Sequence, residues 1–365
     1  MRQLAVLGLP GKMVRETIAR IIPQLLPCDL VAFQHLDDSG NLADAWINFP
    51  EMLPALGVYL EYFHNAMEAE AHVTFDEFFR STAAADRMHR NTGNYLESSL
   101  YNELYKSINF RYIMRTAFRD GEAARGCLML SRGHGTKDFS DEEMRLSVSL
   151  APYLTHALSA PAQSAEDCDT LETAEGLLIC NGNGAIEFSS PQGRALLHDI
   201  AETSMTAATL SDRCQSWAFP QLRRLIGEAR LLAGGKAASV PVIVKNNTRG
   251  KYVLRVWQMN SAAKTGAPDL YSVSIRRYIP VALRLLENPL VVAMPGREKQ
   301  ICLLLAEGLE TKKIAQRTGL TPNTAISYIR ALYQRLGINS RRDLVSRLVD
   351  PVGSMGAEPR GGSTE

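Results

Sequence analysis

Long apolar runs are missing from this chain. No stretch of its 365 residues approaches the roughly 20 uninterrupted apolar residues that a membrane-spanning helix needs. Paired cysteines are missing too: Cys28, Cys127, Cys168, Cys180, Cys214 and Cys302 stand far apart with no C-x-x-C, the pattern of reduced, mostly buried thiols. The N-terminus has a short apolar run before Pro10, Gly11 and Lys12 but no small-residue cleavage site, which argues against a secretory signal. Catalytic signatures are equally scarce, with no G-x-S-x-G, no H-E-x-x-H and no defensible Cys–His arrangement. Gly8-Leu9-Pro10-Gly11-Lys12-Met13 mimics a phosphate loop, yet its glycine spacing is short and it lacks the Ser/Thr for magnesium. A receiver domain is excluded because no acidic pair follows the strand-like Leu4–Leu9. His64 and His72 lack a carboxylate or cysteine at metal-ligand spacing and read as core or surface histidines. The expectation is a cytoplasmic, soluble non-enzyme without metal or cofactor.

Charge of one sign is also lacking on average, with 40 Lys+Arg against 39 Asp+Glu and a net of +1. The average hides segregation. Residues 280–350 carry 11 Lys+Arg against 6 Asp+Glu, whereas residues 1–279 carry 28 against 31. A basic segment of this kind suits a polyanion such as DNA, and a slightly acidic body offers it a docking partner.

What is present divides into blocks. Small polar residues over 161–170 read as a linker, and 351–365 as a flexible tail. Before the linker, helical spacing runs over Met13–Leu26, strands over Asp29–Leu36 and Leu42–Phe49, and a helix over 58–69. Strands follow at Phe110–Phe118 and Arg125–Ser131, then a helix from the Ser140 cap to Leu158. This order predicts an α+β domain, one sheet with helices against it. After the linker come strands at Gly176–Cys180 and Ala185–Phe188 around an Asn181–Gly184 turn and a helix near Gln192–Leu197. Strands at Val240–Lys245, Tyr252–Met259 and Leu270–Arg276 follow. By element order, and by the Phe139-Ser140-Asp141-Glu142-Glu143 run, residues 1–160 resemble a GAF-type sensor domain. Residues 171–279 resemble a PAS-type domain, with an unrelated α+β domain as the other reading. Residues 280–290 read as a connecting helix, with Val281–Glu287 the candidate transmitter.

Residues 291–350 are all-α. A helix over Gly296–Gly308 precedes a short one, Lys312–Thr318, capped by Thr311 and ended by Gly319. Thr321-Pro322 starts a third helix that stops at Gly337, and Ser340 opens a fourth. On the third, Ala325, Ile329, Leu332 and Leu336 form an apolar stripe. Asn323, Ser327, Arg330 and Gln334 form a row of hydrogen-bonding side chains, of the kind that reads base edges in a major groove or simply faces water. Lys312, Lys313, Arg317, Arg330, Arg335, Arg341 and Arg342 are candidates to neutralise phosphates, while an acidic membrane surface is the competing partner for a basic helix.

The segment Gly296–Leu348 resembles the LuxR-type helix-turn-helix regulators. It carries Arg297-Glu298, Leu-Ala-x-Gly at 305–308, Lys-x-Ile-Ala at 312–315, Leu320, Thr324, Arg-Leu-Gly at 335–337 and Ser340-Arg341. The resemblance implies a four-helix module whose third helix enters the major groove and whose fourth supports dimerisation. It implies DNA contacts from Lys312, Lys313, Asn323, Thr324, Ile326, Ser327, Arg330, Gln334, Arg335 and Arg341, and a structural Glu298 paired with a nearby base. Three positions depart from the family pattern: Ile326 replaces a lysine, Tyr328 a histidine and Met294 a capping threonine. Ile326 suits a thymine methyl or another protein surface.

Aromatics concentrate upstream: residues 46–118 hold 14 of the 26 Phe, Trp and Tyr. Trp46, Phe49, Tyr59, Tyr62, Phe63, Phe75, Phe78 and Phe79 are candidates for a ligand cavity, an aromatic core being the other reading. The Trp-Tyr-Asp pattern of acyl-homoserine-lactone sensors is not found. The combined expectation is a three-domain, homodimeric transcription regulator controlled by a small apolar or aromatic effector. RNA polymerase is a further partner that such a design admits. The alternative is a ligand-binding sensor acting through protein–protein contacts with weak DNA binding.

Overall fold

The computed structural model describes residues 9–90, 94–158, 170–201, 210, 219–233, 242–259 and 270–349. The expected linker (apart from Thr170), the expected tail, Cys168 and Cys214 lie outside the described residues. The chain divides into two units, residues 1–162 with 172–278, and residues 163–171 with 279–365.

In the first unit, β1 (Leu30–Leu36) pairs antiparallel with β2 (Leu42–Ile47) across the Asp37–Asn41 turn. It also pairs with β5 (Ala123–Arg132), which returns beside β4 (Tyr112–Asp120) and the short β3 (Ala85–Arg87). The order is β2-β1-β5-β4-β3. Gly126 makes the close β1–β5 pairing feasible, because a Cβ there would stand 2.0 Å from the Gln34 carbonyl oxygen.

Alternation sends Phe33, Met114, Thr116, Leu128 and Leu130 to one face. There α1 (Gly11–Leu25) packs on β1, and α4 (Asp141–Leu158) packs on β4 and α1. The Ser140 hydroxyl accepts from Glu143 N and the Glu143 carboxylate from Ser140 N, so the expected capping box forms.

The opposite face is covered by irregular chain, which corrects the expected single helix at 58–69. The helix α2 spans Leu53–Val58, widens into a π turn at Tyr59–Phe63 and ends at His64. Asn65 then adopts φ 53°, and the buried Glu68 carboxylate accepts from the backbone N–H of Asn65 and Phe75. A carboxylate bridging two turns stops the helix and starts α3 (Phe75–Arg80), which Thr74 and Glu77 box at its start.

A second sheet has the same order, β7-β6-β10-β9-β8, from β6 (Thr170–Asn181), β7 (Ile186–Ser189), β8 (Val242–Asn247), β9 (Gly250–Gln258) and β10 (Leu270–Pro280). Helices α5 (Pro191–Ala201) and α6 (Phe219–Ala233) bury Leu196, Leu197, Leu222, Leu225 and Ile226 against Leu178, Tyr252, Leu254 and Val273. The sequence reading had no element at α6.

The two halves of this unit share a buried ion cluster. Arg15 of α1 donates to Asp44 of β2 at 3.0 Å, and Arg249 donates to Asp199 of α5 at 2.9 Å and to Asp44 at 3.4 Å. Arg277 of β10 adds an ion pair to Glu16 of α1 and a 2.9 Å bond to the Arg249 carbonyl.

The second unit is helical: α7 (Val281–Leu285), α8 (Pro289–Val292), α9 (Gly296–Ala306), α10 (Thr311–Thr318), α11 (Pro322–Leu336) and α12 (Arg341–Val349). The expected connecting helix over 280–290 is thus two short helices. Val281, Ala282, Leu283 and Leu285 are buried, with α7 packed on α9 and α12. Asn288 breaks the path: its side chain caps α8 and donates to the Leu348 carbonyl at 2.8 Å. The candidate transmitter Val281–Glu287 thus has its first turn inside the helical core.

Candidate nucleic-acid interface and sensor cavity

On the first sheet, register lines up Ile47, Ala32, Met129, Arg115 and Asp86 across all five strands, facing the irregular segment. A cavity of about 50 Å³, open to the centres of water-sized molecules, lies above that row. Tyr59 and Phe75 line it, as do Met52, Leu56, Tyr105 and Phe110. Trp46 borders it, but alternation turns its ring to the helix face, where the Arg15 guanidinium lies 5.5 Å from its centroid. The other expected ligand residues are elsewhere. Phe63 belongs to the adjoining core, Phe78 and Phe79 to a separate cluster with Ala117 and Cys127, and Phe49 and Tyr62 are 44% and 55% exposed.

Sequence reasoning missed the polar side of this cavity, formed by Gln34, Tyr105 and Arg115. The signal was present as single polar residues inside the apolar strands Leu30–Leu36 and Tyr112–Asp120. Arg115 donates through Nε and Nη2 to Asp86 at 3.0 and 2.6 Å, and its guanidinium stacks 4.4 Å from the Phe78 centroid. Burial lowers its pKa, but the hydrogen bonds and charge of Asp86 more than offset this and hold it raised. Tyr59 donates to Glu68 at 2.5 Å; burial, then the Glu68 charge, pushes its phenol far up. Among the described residues, no group of His, Cys, Asp and Glu is placed to hold a metal ion. No helix among the described residues is long and apolar enough to cross a membrane.

In the helical unit, α10 ends on Gly319 at φ 66°, and Thr321 caps α11 by accepting from Thr324 N at 3.2 Å. Pro322 follows at the first helical position, as expected. This turn of Gly319, Leu320 and Thr321 joins two helices that both pack on α9. Ala325, Leu332 and Leu336 are buried and Ile329 half-buried, so the core stripe lies where the spacing predicts. Asn323, Thr324, Ser327, Arg330 and Gln334 are exposed, as are Lys312, Lys313, Arg317 and Arg342. Ile326 and Tyr328 are 37% and 36% exposed, and their spacing of two residues sets them on different sides of α11. Thr311 is the first residue of α10 rather than its cap. Glu310 takes the cap position with extended backbone and makes no side-chain cap bond.

Residues 294–348 match the family model of bacterial regulatory proteins, luxR family. Over 178 residues the chain is 29% identical to the probable transcriptional regulatory protein SgaR of Hyphomicrobium methylovorum, covering 46% of this chain and 81% of that protein. Solved structures with likeness include the sensor region of a sensor histidine kinase, at 15% identity, 45% of this chain, 63% of that one and TM-score 0.19. Another is the VqmA–ligand–DNA complex of Vibrio cholerae, at 11% identity, 49% of this chain, 82% of that one and TM-score 0.26. TM-scores of this size describe no common whole-chain arrangement.

Within the luxR-type segment, two expected phosphate ligands have internal work. Arg335 pairs with Glu298 at 2.8 Å, joining α11 to α9, so Glu298 has a basic partner as the resemblance implies. Arg341 donates to the Ala306 carbonyl at 3.0 Å, tying α12 to the end of α9. Met294 is buried, and Pro295 occupies the cap of α9 without a side-chain bond, so that helix start relies on packing.

Proposed function

We propose that this chain is a sequence-specific, DNA-binding transcriptional regulator of the luxR type. The observation that carries the reading is α11. Its buried stripe fixes the helix against α9, while Asn323, Ser327, Arg330 and Gln334 stand exposed along the opposite side. A helix presented in this way suits a major groove, where such side chains hydrogen-bond base edges and nearby lysines meet phosphates. The luxR-family match over 294–348 and the regulatory relative support the same reading.

In this proposal Lys312, Lys313, Arg317 and Arg342 neutralise phosphates, and Thr324 and Ile326 add contacts beside the polar row. Arg335 and Arg341 hold the module together and contribute to DNA binding only in part. The N-terminal unit acts as the sensor, its first half GAF-like and its second PAS-like, and it responds to a small apolar or aromatic molecule. Two copies reach paired half-sites about one DNA turn, ~34 Å, apart. Ligand shifts the population between a DNA-competent and an incompetent arrangement.

A mobility-shift titration on the DNA upstream of the protein's own coding region tests this. Arg330→Ala should weaken binding and relax base preference by ~1–3 kcal/mol at one position, whereas Lys312→Ala should lower affinity uniformly and flatten the salt slope by about one. Failure of the folded wild type to shift any such DNA at low salt would favour the contact model, with the exposed Ile326 on its contact face.

A further inference from the structure

The lining of the first-sheet cavity is mostly apolar, but its three polar groups and their charges narrow what it can hold. Gln34, Tyr105 and Arg115 are buried and border it. Gln34 is engaged only through Oε1, which accepts from Cys127 Sγ at 3.1 Å, and Arg115 only through Nε and Nη2. Among the described residues, no hydrogen bond engages Gln34 Nε2, the Tyr105 hydroxyl or Arg115 Nη1. All three are donors, so an occupant satisfies them by bringing acceptors.

We propose that this cavity binds a compact neutral molecule, no larger than a single ring, whose carbonyl or ring-nitrogen acceptor meets Arg115, Tyr105 and Gln34. Neutrality follows from the charges already there. The Arg115 guanidinium is spent on Asp86, in a bidentate pair at 2.6 and 3.0 Å. Glu68 is 0% exposed and accepts from Tyr59, Asn65 N and Phe75 N, yet no cation lies within ion-pair distance of it among the described residues. On the far side of the sheet, Arg15 is matched by Asp44. Arg115 is thus already paired with Asp86 and, among the described residues, no second cation lines the cavity, so a buried anionic ligand would meet an unrepaid desolvation cost. Burial pushes the Tyr105 phenol well above its ordinary value, which keeps it a donor.

Size follows from the volume, about 50 Å³. An engineered apolar cavity that accepts benzene measures ~150 Å³, so a ring enters only if the wall yields. Met52, Met88 and Met129 form part of that wall, and unbranched methionines repack readily.

This inference rests on the proposed sensor role of the N-terminal unit. Calorimetric titration of the full chain with benzamide, its near-isostere benzoate, and toluene tests it. Benzamide should bind at least about tenfold more tightly than benzoate. Tyr105→Phe should weaken benzamide by about three- to tenfold and leave toluene unchanged. Ala55→Leu, which fills the cavity from α2, should abolish binding of both. Equal affinity for benzoate, or unchanged benzamide binding by Ala55→Leu, overturns the assignment. So does a lack of any benzamide binding, and if that protein still shifts its upstream DNA, the regulatory reading survives alone. Binding with the expected pattern but no DNA shift leaves the cavity standing and removes the regulator.

Discussion

Two residues in the first unit show how burial sets chemistry one side chain at a time. His35 sits between the rings of Phe33 and Phe118, at 6.5 and 5.7 Å, and its buried Nε2 has no hydrogen-bond partner among the described residues. Burial, then the charge of Arg15, pushes its pKa down to about 4. The unfolded chain therefore binds a proton near pH 6.5 that the folded chain refuses until about 4. Stability from this group is complete above pH 6.5 and is lost as pH falls toward 4. Between pH 6.5 and 5 the loss should be ~2 kcal/mol, read from urea unfolding at several pH values. His35→Leu should reduce the pH slope of stability by this contribution; an unchanged slope would show that His35 is not a source of it. His198 is shifted in the same direction, also to about 4, so a residual slope remains in the variant. By contrast, the polar row of α11 owes its availability to exposure, and the same sequence types inside the sheet become donors aimed at a cavity.

Among elements, the α10–α11 turn decides most. Gly319 holds a left-handed backbone that costs other residues ~1–2 kcal/mol, and Thr321 supplies a cap worth ~1 kcal/mol. Gly319→Ala and Thr321→Ala should each lower thermal stability of the helical unit by about that much. Of the two, Gly319→Ala should weaken DNA binding more, because it re-aims α11 relative to α9 as well as destabilising it. Equal losses of stability and affinity in both variants would contradict a role in aiming. The helices here were legible because caps, prolines and glycines punctuate them locally. The segment after β2 was not, because Glu68 ends α2 by reaching from a later turn, and no spacing rule reports a contact of that kind. The single expected helix at 280–290 failed for a related reason: Asn288 binds the Leu348 carbonyl sixty residues away.

Across the whole molecule, the four buried charges Arg15, Asp44, Asp199 and Arg249 join two sheets that are built to the same strand order. Removing one member leaves an uncompensated buried charge, whereas the intact set offers little over an apolar isostere. Arg249→Met should thus cost about 3–5 kcal/mol, and Asp44→Asn added to it should cost much less than on the wild type. In calorimetry the first unit should melt as one transition that both changes move, with the helical unit melting independently of them. Two separate sheet transitions in the wild type would refute that coupling.

The sequence alone determined the helical unit: local caps and a 3.6-residue apolar stripe place every element of α9 to α12 within a residue or two. It also determined the described strands apart from the short β3, since alternation and Gly-rich turns are local signals. Only the tertiary structure decided which aromatics meet at the cavity, which donors border it, and which arginines of the helical unit are already engaged. Those depend on strand register and on side chains separated by tens of residues, where burial and charge balance, not neighbouring sequence, choose the partner.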